Sequence, residues 1–392
     1  MHQEKYSPFI FGNTVSDRAY TNREDEAHKL KQNLLGGINT IIISPRRWGK
    51  SSLVERVLLD INKNEKQAKT VLLDLFTVNS DLEFFEVYTR EIIKSTSTKW
   101  EDWLHDAKHF LSQLVPTIHI GVNPHLDFNI KFEAEKVKEF ADEILNLPER
   151  IAIEKGIRII ICLDEFQNLS SMLNYEQLEK KMRAVWQRQK HVSYCLYGSK
   201  RHMLEDIFHN SSKPFYRFGD LMILSKISEE SWVKFIQTSF KRTGKQIPRD
   251  LARTIPRLMK NHSWYVQQLS HYVWNQSQSE SSIEVIQKSL TELISANQPL
   301  YQREIEGMST TQINLLKAIV QQEKQLTAVE VMRKYVLGTP RNVSKNRAIL
   351  EGRDMILKNE NGLYEFLDPA FEIWFRKQYF GIQWSVESLL GS

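Results

Sequence analysis

Two short segments of the chain carry residues that can do chemistry together. The first is Ile41–Val54, IIISPRRWGKSSLV. A β-branched run enters a turn, and Gly49-Lys50-Ser51-Ser52 then opens a stretch with helical spacing. Strand, loop and helix in that order make a phosphate cradle. Loop N–H groups and the positive end of the helix dipole face an anion there. Gly49 has no Cβ to hold the backbone away from it. Lys50 can place its ammonium on β- and γ-phosphate oxygens, and the Ser51 hydroxyl can ligate Mg²⁺. Pro45, Arg46, Arg47, Trp48, Gly49, Lys50, Ser51 and Ser52 are therefore the candidate nucleotide-binding segment. One position departs from GxxxxGK[ST]: Ser44 stands at the first Gly, and serine tolerates positive φ less well.

The second segment is Ile159–Leu169, IIICLDEFQNL, an apolar strand that ends in two acids. In P-loop proteins an acid at the C-terminal end of a neighbouring strand holds Mg²⁺, directly or through water, and Asp164 fits that role. Glu165 beside it is the candidate general base for an attacking water. A further strand, Val192–Tyr197, runs into Gly198-Ser199, which makes Ser199 a candidate contact for the γ-phosphate or the water. Downstream, Arg217 is a candidate finger, in cis or from a neighbouring subunit, whose planar charge offsets charge on a transferred phosphoryl group.

Those side chains need a scaffold, and the chain alternates between short apolar runs and amphipathic stretches. Thr40–Ile43, Thr70–Phe76, Ile157–Leu163 and Val192–Tyr197 read as buried strands. Asn22–Leu35, Leu53–Ile61, Leu82–Ile93, Glu133–Ile153 and Tyr175–Gln189 read as helices, with Pro148 kinking or dividing the fourth. Thr117–Phe132 reads as an inserted hairpin. Alternating β and α imply a parallel sheet with helices on both faces, whose strand ends carry the acids. Beyond about Leu224 the pattern turns helical at Glu229–Thr243, Arg249–Met259 and Ser263–Gln278. Thr310–Gln321, Thr327–Tyr335 and Asn342–Met355 then precede a hairpin turning at Asn359–Gly362, the order of a winged helix-turn-helix. The expected fold class is α/β: a parallel-sheet P-loop NTPase core, an α-helical second domain and a C-terminal winged helix-turn-helix. The expected divisions are 1–225, 226–305, 306–381 and a tail at 382–392.

Composition narrows the class. The 392 residues are 41% hydrophobic and 26% charged, which excludes collagen-like and largely disordered chains. No apolar run approaches the ~20 residues that cross a bilayer, and Met1–Tyr6 is polar, so neither a membrane span nor a secretory signal is expected. Two cysteines, Cys162 and Cys195, sit in apolar strand-like stretches and read as buried hydrophobes, with a reducing cytoplasm as the natural home. The net charge of +5 is uneven: Asn168–Lys260 holds 18 Lys and Arg against 8 Asp and Glu. A local surplus of this kind suits a polyanion, nucleotide or nucleic acid.

With these residues on the page, the chain resembles the archaeal-type P-loop ATPases of the AAA+-related STAND class. Ser44–Ser52 is similar to the family's PRRxGKTS loop, Ile160–Gln167 to its LDEFQ strand end, and Leu196–Ser199 to its GS sensor strand. Tyr20-Thr21-Asn22-Arg23-Glu24, with Glu26, resembles the segment that helps form the nucleotide-base pocket, which implies a nucleotide-binding role for Arg23. Leu315–Phe375 is similar to the family's winged-helix tail and closes on Asp368-Pro369-Ala370-Phe371-Glu372-Ile373-Trp374, its D-P-x-F-x-x-W. The family's G-x-P at a lid helix reads Asn261-His262-Ser263 here, a departure at the lid's contact with the nucleotide. The resemblance implies ATP and Mg²⁺ as cofactors, and slow hydrolysis coupled to movement of lid and winged helix.

A second class of function stays open: a nucleotide-regulated DNA-binding regulator or defence module, with a scaffold bearing a vestigial site as a third. Arg341, Asn342, Ser344, Lys345 and Arg347 open the expected recognition helix and are placed to meet bases and phosphates. Ser309–Phe380 carries 11 Lys and Arg against 8 Asp and Glu, mild for DNA, so a protein partner or internal packing is equally open. Arg217 acting in trans would require an oligomer.

Overall fold

The computed structural model describes residues 6–12, 22–97, 99–113, 116–121, 128–359, 361–382 and 385–391. In chain order it has α1 (Glu24–Leu35), β1 (Thr40–Ile43), α2 (Lys50–Asn64), β2 (Ala68–Asp74), α3 (Asp81–Thr96), α4 (Trp100–Phe110), β3 (Thr117–Ile120) and β4 (Phe128–Lys131). There follow α5 (Ala134–Leu145), α6 (Leu147–Lys155), β5 (Arg158–Asp164), a 3₁₀ turn (Phe166–Ser171), α7 (Tyr175–Trp186), β6 (Val192–Gly198), α8 (Arg201–His209) and β7 (Asp220–Ile223). The remainder is α9 (Glu229–Arg242), α10 (Arg249–Leu258), α11 (Ser263–Gln276), α12 (Ile283–Glu306), α13 (Thr310–Val320), α14 (Val329–Lys334), α15 (Pro340–Gly352), β8 (Ile356–Lys358), β9 (Tyr364–Phe366), α16 (Pro369–Phe380) and α17 (Val386–Leu390).

Contacts divide the chain into two compact units. One holds Arg23–Ser44 and Lys50–Leu224; the other holds Met1–Asn22, Pro45–Gly49 and Ser225–Ser392. The first unit is built on a parallel sheet ordered β2-β5-β6-β1-β7. All seven residues of β6 and the five central residues of β5 are buried, as expected for strands covered on both faces. Sequence alternation becomes burial on α3, where Phe84, Phe85, Tyr88, Ile92 and Ile93 fall on one side and join Val71, Leu73 and Ile161 in the core. Ser80 caps that helix by accepting from the Glu83 N–H.

Several expectations are refined here. The acid strand β5 is not next to β1; β6 lies between them. The helix expected over Glu133–Ile153 is divided: α5 ends at Leu145, and Pro148 sits in the first turn of α6, where its missing N–H costs nothing. The hairpin of β3 and β4 is antiparallel, with Ile118 opposite Ile130. Thr40 and Ile43 of β1 also pair with Asp220 and Ile223 of β7, a strand too short and too mixed to stand out in sequence. Cys162 and Cys195 are buried, free and opposite each other in adjacent strands.

The second unit has its own core, in which Trp232, Phe240, Leu269, Leu290, Leu316 and Phe375 are buried together. The longest helix, α12, has no counterpart in the sequence reading. Ser281-Ser282 before it and Pro299 inside it are breaker signals. In the fold, Ser282 caps α12 instead, accepting from the Val285 N–H. From α13 to α16 the order is three helices, a two-stranded hairpin and a closing helix. Tyr20 and Thr21, and part of the tail expected at 382–392, lie outside the described residues.

Candidate functional site

The strand ends of the first unit gather the polar groups. Lys50 starts α2, is buried, and donates from Nζ to the backbone oxygen of Ser44 at 3.1 Å. No acid occupies the first turn of α2, so the positive end of its dipole favours an anion there. Positive φ, expected to be awkward for Ser44, falls instead on Arg47 (65°) and Gly49 (91°). Serine at position 44 thus meets no strained backbone and serves through its carbonyl.

Across the sheet, β5 delivers Asp164. Its Oδ2 accepts from Ser51 Oγ at 2.9 Å and its Oδ1 from the Glu165 N–H at 2.8 Å. Burial pushes the Asp164 carboxyl up to about 6; these two hydrogen bonds and Lys50 offset part of that, while the Glu165 charge adds to it. A hydroxyl and a carboxylate oxygen side by side are the donors a hard cation takes when phosphate and water complete its shell. Ser51 and Asp164 therefore fit Mg²⁺. Among the described residues no three His, Cys, Asp or Glu side chains cluster as a metal site.

Glu165 turns the corner after β5 with φ 54°, a left-handed conformation unusual for a side chain with a Cβ. Its Oε2 accepts from Ser199 Oγ at 2.9 Å and from the Ser199 N–H at 3.4 Å. Because β6 lies between β1 and β5, its end carries Ser199 to the acid corner. Sequence reading missed Gln167, whose Nε2 donates to the same Glu165 oxygen. Nothing in the sequence marks it; the need for a partner follows from the full burial of its amide in the turn.

Arg217 is exposed, in a left-handed conformation, with its guanidinium over the Tyr216 ring at 5.2 Å. Arg23 is buried at the start of α1 and pairs through Nη1 with Glu26 at 3.0 Å. Ser52 is buried in the first turn of α2, and Arg46 is exposed.

Residues Pro45–Gly49 group with the second unit, where two of them meet aromatic or basic side chains. Arg47 lies over the Trp264 ring at 4.6 Å, and Lys226 lies over the Trp48 ring at 5.6 Å. His262, at the head of α11, is buried; burial, with Lys226 and Arg47 nearby, pushes its imidazole down to about 3, so it is neutral. The basic surplus seen in sequence is partly internal to this unit. Arg249 and Arg253 pair with Glu230 at 2.6 and 2.7 Å, and Arg257 pairs with Glu229 at 2.9 Å. On α15, Arg341, Asn342, Ser344 and Lys345 are exposed, while Arg347 leans on the Tyr364 ring at 5.5 Å.

A family model described as a probable winged helix domain matches residues 299–377. No curated protein matches the sequence. Among solved structures, the chain is similar to a Walker-type ATPase of Pyrococcus abyssi, at 16% identity and TM-score 0.66, covering 94% of this chain and 99% of that one. It is also similar to the ORC2 protein of Aeropyrum pernix, solved as ADPNP and ADP complexes, at 13% identity and TM-score 0.54, covering 100% and 96%. The likeness is one of fold: a parallel-sheet core of the P-loop ATPase kind, followed by helices and a C-terminal winged helix domain.

Proposed function

We propose that the protein binds ATP with Mg²⁺ and hydrolyses it slowly, as a switch of the STAND kind. One observation carries the reading: Lys50 at the head of an acid-free helix, with Ser51 hydrogen-bonded to Asp164. Lys50 and the first-turn N–H groups of α2 hold phosphate oxygens, and in chain order Pro45–Gly49 is the turn that leads into them. Ser51 and Asp164 hold the cation, which when bound neutralises charge on the phosphates. Glu165 takes the proton of the attacking water, and Ser199, hydrogen-bonded to it, stands at the same strand-end corner. Arg217 is the candidate finger in this scheme, in cis or in trans; a role in trans requires a second copy. The divisions at 226–305 and 306–381 are the parts whose arrangement would answer to the nucleotide.

The Aeropyrum protein's nucleotide complexes support the choice of an adenine nucleotide. The test is Lys50→Ala. It is expected to lower ATP turnover by at least about 100-fold, roughly 2.7 kcal/mol of barrier. A variant that binds and hydrolyses ATP like the wild type removes the proposal.

A second reading adds DNA to the switch. It rests on the exposed Arg341, Asn342, Ser344 and Lys345 in the first turns of α15, whose N-cap is Thr339. Binding that weakens with salt at a log–log slope of about −0.9 per phosphate contact supports it. Absence of binding at low salt, with and without ATP, removes it.

A further inference from the structure

Gln167 is fully buried in the 3₁₀ turn after Glu165. Its Nε2 donates to Glu165 Oε2, the oxygen that also accepts from the Ser199 hydroxyl and N–H. Its other end is unusual. Gln167 Oε1 is buried with no hydrogen-bond partner among the described residues. It lies against Gly198, where an added Cβ would stand 1.8 Å away. A buried amide that served only the core would be satisfied at both ends, because an unpaired carbonyl is costly. This one leaves its acceptor empty and keeps its donor on Glu165.

We infer that Gln167 is a positioning residue for Glu165: its amide, wedged against Gly198, fixes the carboxylate so that Oε1 is the oxygen presented to the attacking water. The inference rests on the proposed role of Glu165 as the base. Three donors converge on Oε2, from two different strand ends. Together they restrain the side-chain torsions of a residue whose backbone is already left-handed. A base held in one orientation has its alignment settled before the chemical step. Gly198 belongs to the same device, since the space it leaves is filled by the amide and by nothing else within 3 Å of that Cβ position.

Two variants of the full-length protein test this, with Mg-ATP turnover as the readout. Gln167→Ala is expected to lower kcat about tenfold and leave KM within about twofold, a modest share of what a positioned base contributes. Gly198→Ala keeps every polar group but displaces the amide, and is expected to lower kcat similarly. The double variant is expected to fall no further than either single one, because both remove the same restraint. If Gly198→Ala does not fold, Gln167→Ala decides alone, its thermal melt establishing that it is folded. An unchanged or raised kcat in folded Gln167→Ala overturns the inference, as does a loss confined to KM or an additive double variant. Glu165→Gln separates the two levels. If that variant turns over like wild type, the base assignment fails and the inference with it. If it is inactive while Gln167→Ala keeps wild-type kcat, the positioning inference alone fails.

Discussion

Asp164 of the first unit and Asp368 of the second are chemically alike and structurally opposite. Burial raises both carboxyls from an ordinary value near 3.8 to about 6. Each accepts one backbone N–H and one hydroxyl. Asp164 takes them from Glu165 and Ser51; Asp368 takes them from Phe371, at 2.8 Å, and Tyr265. The difference is what owns the hydroxyl. Ser51 stands half-exposed in the open first turn of α2, where a cation can take its place as Asp164's partner. Tyr265 is buried in the second unit's core, and Asp368 caps α16 directly ahead of Pro369. A perturbed acid is therefore a site candidate only when its partners are exchangeable; with fixed partners it is a structural cap.

The sharpest way to break that contrast is to exchange the roles in experiment. Asp164→Asn is expected to lower ATP turnover by about 100-fold, roughly 2.7 kcal/mol of barrier, while the melting temperature stays within about 2 °C. Asp368→Ala is expected to do the reverse. It leaves the Phe371 N–H and Tyr265 hydroxyl without their acceptor, at roughly 1–3 kcal/mol, and so lowers the melting temperature by several degrees. Turnover and thermal melts of both variants decide it. Equal loss of turnover from both, with neither melt shifted, would erase the distinction.

The same contrast explains what the sequence made legible. Asp164 and Lys50 were readable because each sits in a short string whose types and order have few structural uses: strand, turn, Gly-Lys-Ser, helix; and strand, Asp-Glu. Ser199 followed from the next strand. Gln167 did not, because a glutamine after an apolar strand carries no signal until burial is known. The separation of β1 from β5 by β6 is a tertiary fact, since local periodicity finds strands but not their order. Helix α12 was hidden by Ser282 and Pro299, which read as breakers although one is its cap. Arg47 was assigned to nucleotide by its place in the loop; in the fold its guanidinium lies over the Trp264 ring. A loop motif fixes the path of the backbone better than the direction of each side chain.

Smaller in size is the effect of pH on stability that Asp368 should produce. Its folded value, about 6, lies above its ordinary 3.8, so between those limits the folded state binds more protons than the unfolded one. Stability from this group is then highest at low pH and falls as pH rises through the window, levelling off above about 6. Asp368→Asn keeps an acceptor for the cap and removes the titration. The difference in melting temperature between wild type and Asp368→Asn should change across that window and stay constant above it. A difference that is flat throughout would mean that Asp368 titrates normally and is as solvated as a surface carboxylate.

The finest test concerns Arg47: burial raises the Asp368 value, and the Arg47 charge is among the influences that lower it, behind the Tyr265 hydroxyl and the Phe371 N–H. Arg47 is exposed and held over Trp264, so water screens it and its effect on the carboxylate is modest. Removing it should still have a definite sign. In an Arg47→Ala background the ionised carboxylate loses a favourable neighbour, and its folded value rises further above the ordinary one. The level region of the wild-type-against-Asp368→Asn difference should then begin at higher pH, by a few tenths of a unit, in the absence of nucleotide. Lost stacking on Trp264 would lower all melts in that background by a common amount, about 0.5–1 kcal/mol, and so cannot imitate a shift of the window. A shift to lower pH, or none, would separate Arg47 from Asp368. A shift upward would tie the carboxylate that caps the closing helix of the winged-helix region to a residue of the phosphate-loop sequence, the kind of linkage that a nucleotide-driven switch needs and that Asp164, partnered by Ser51, does not provide.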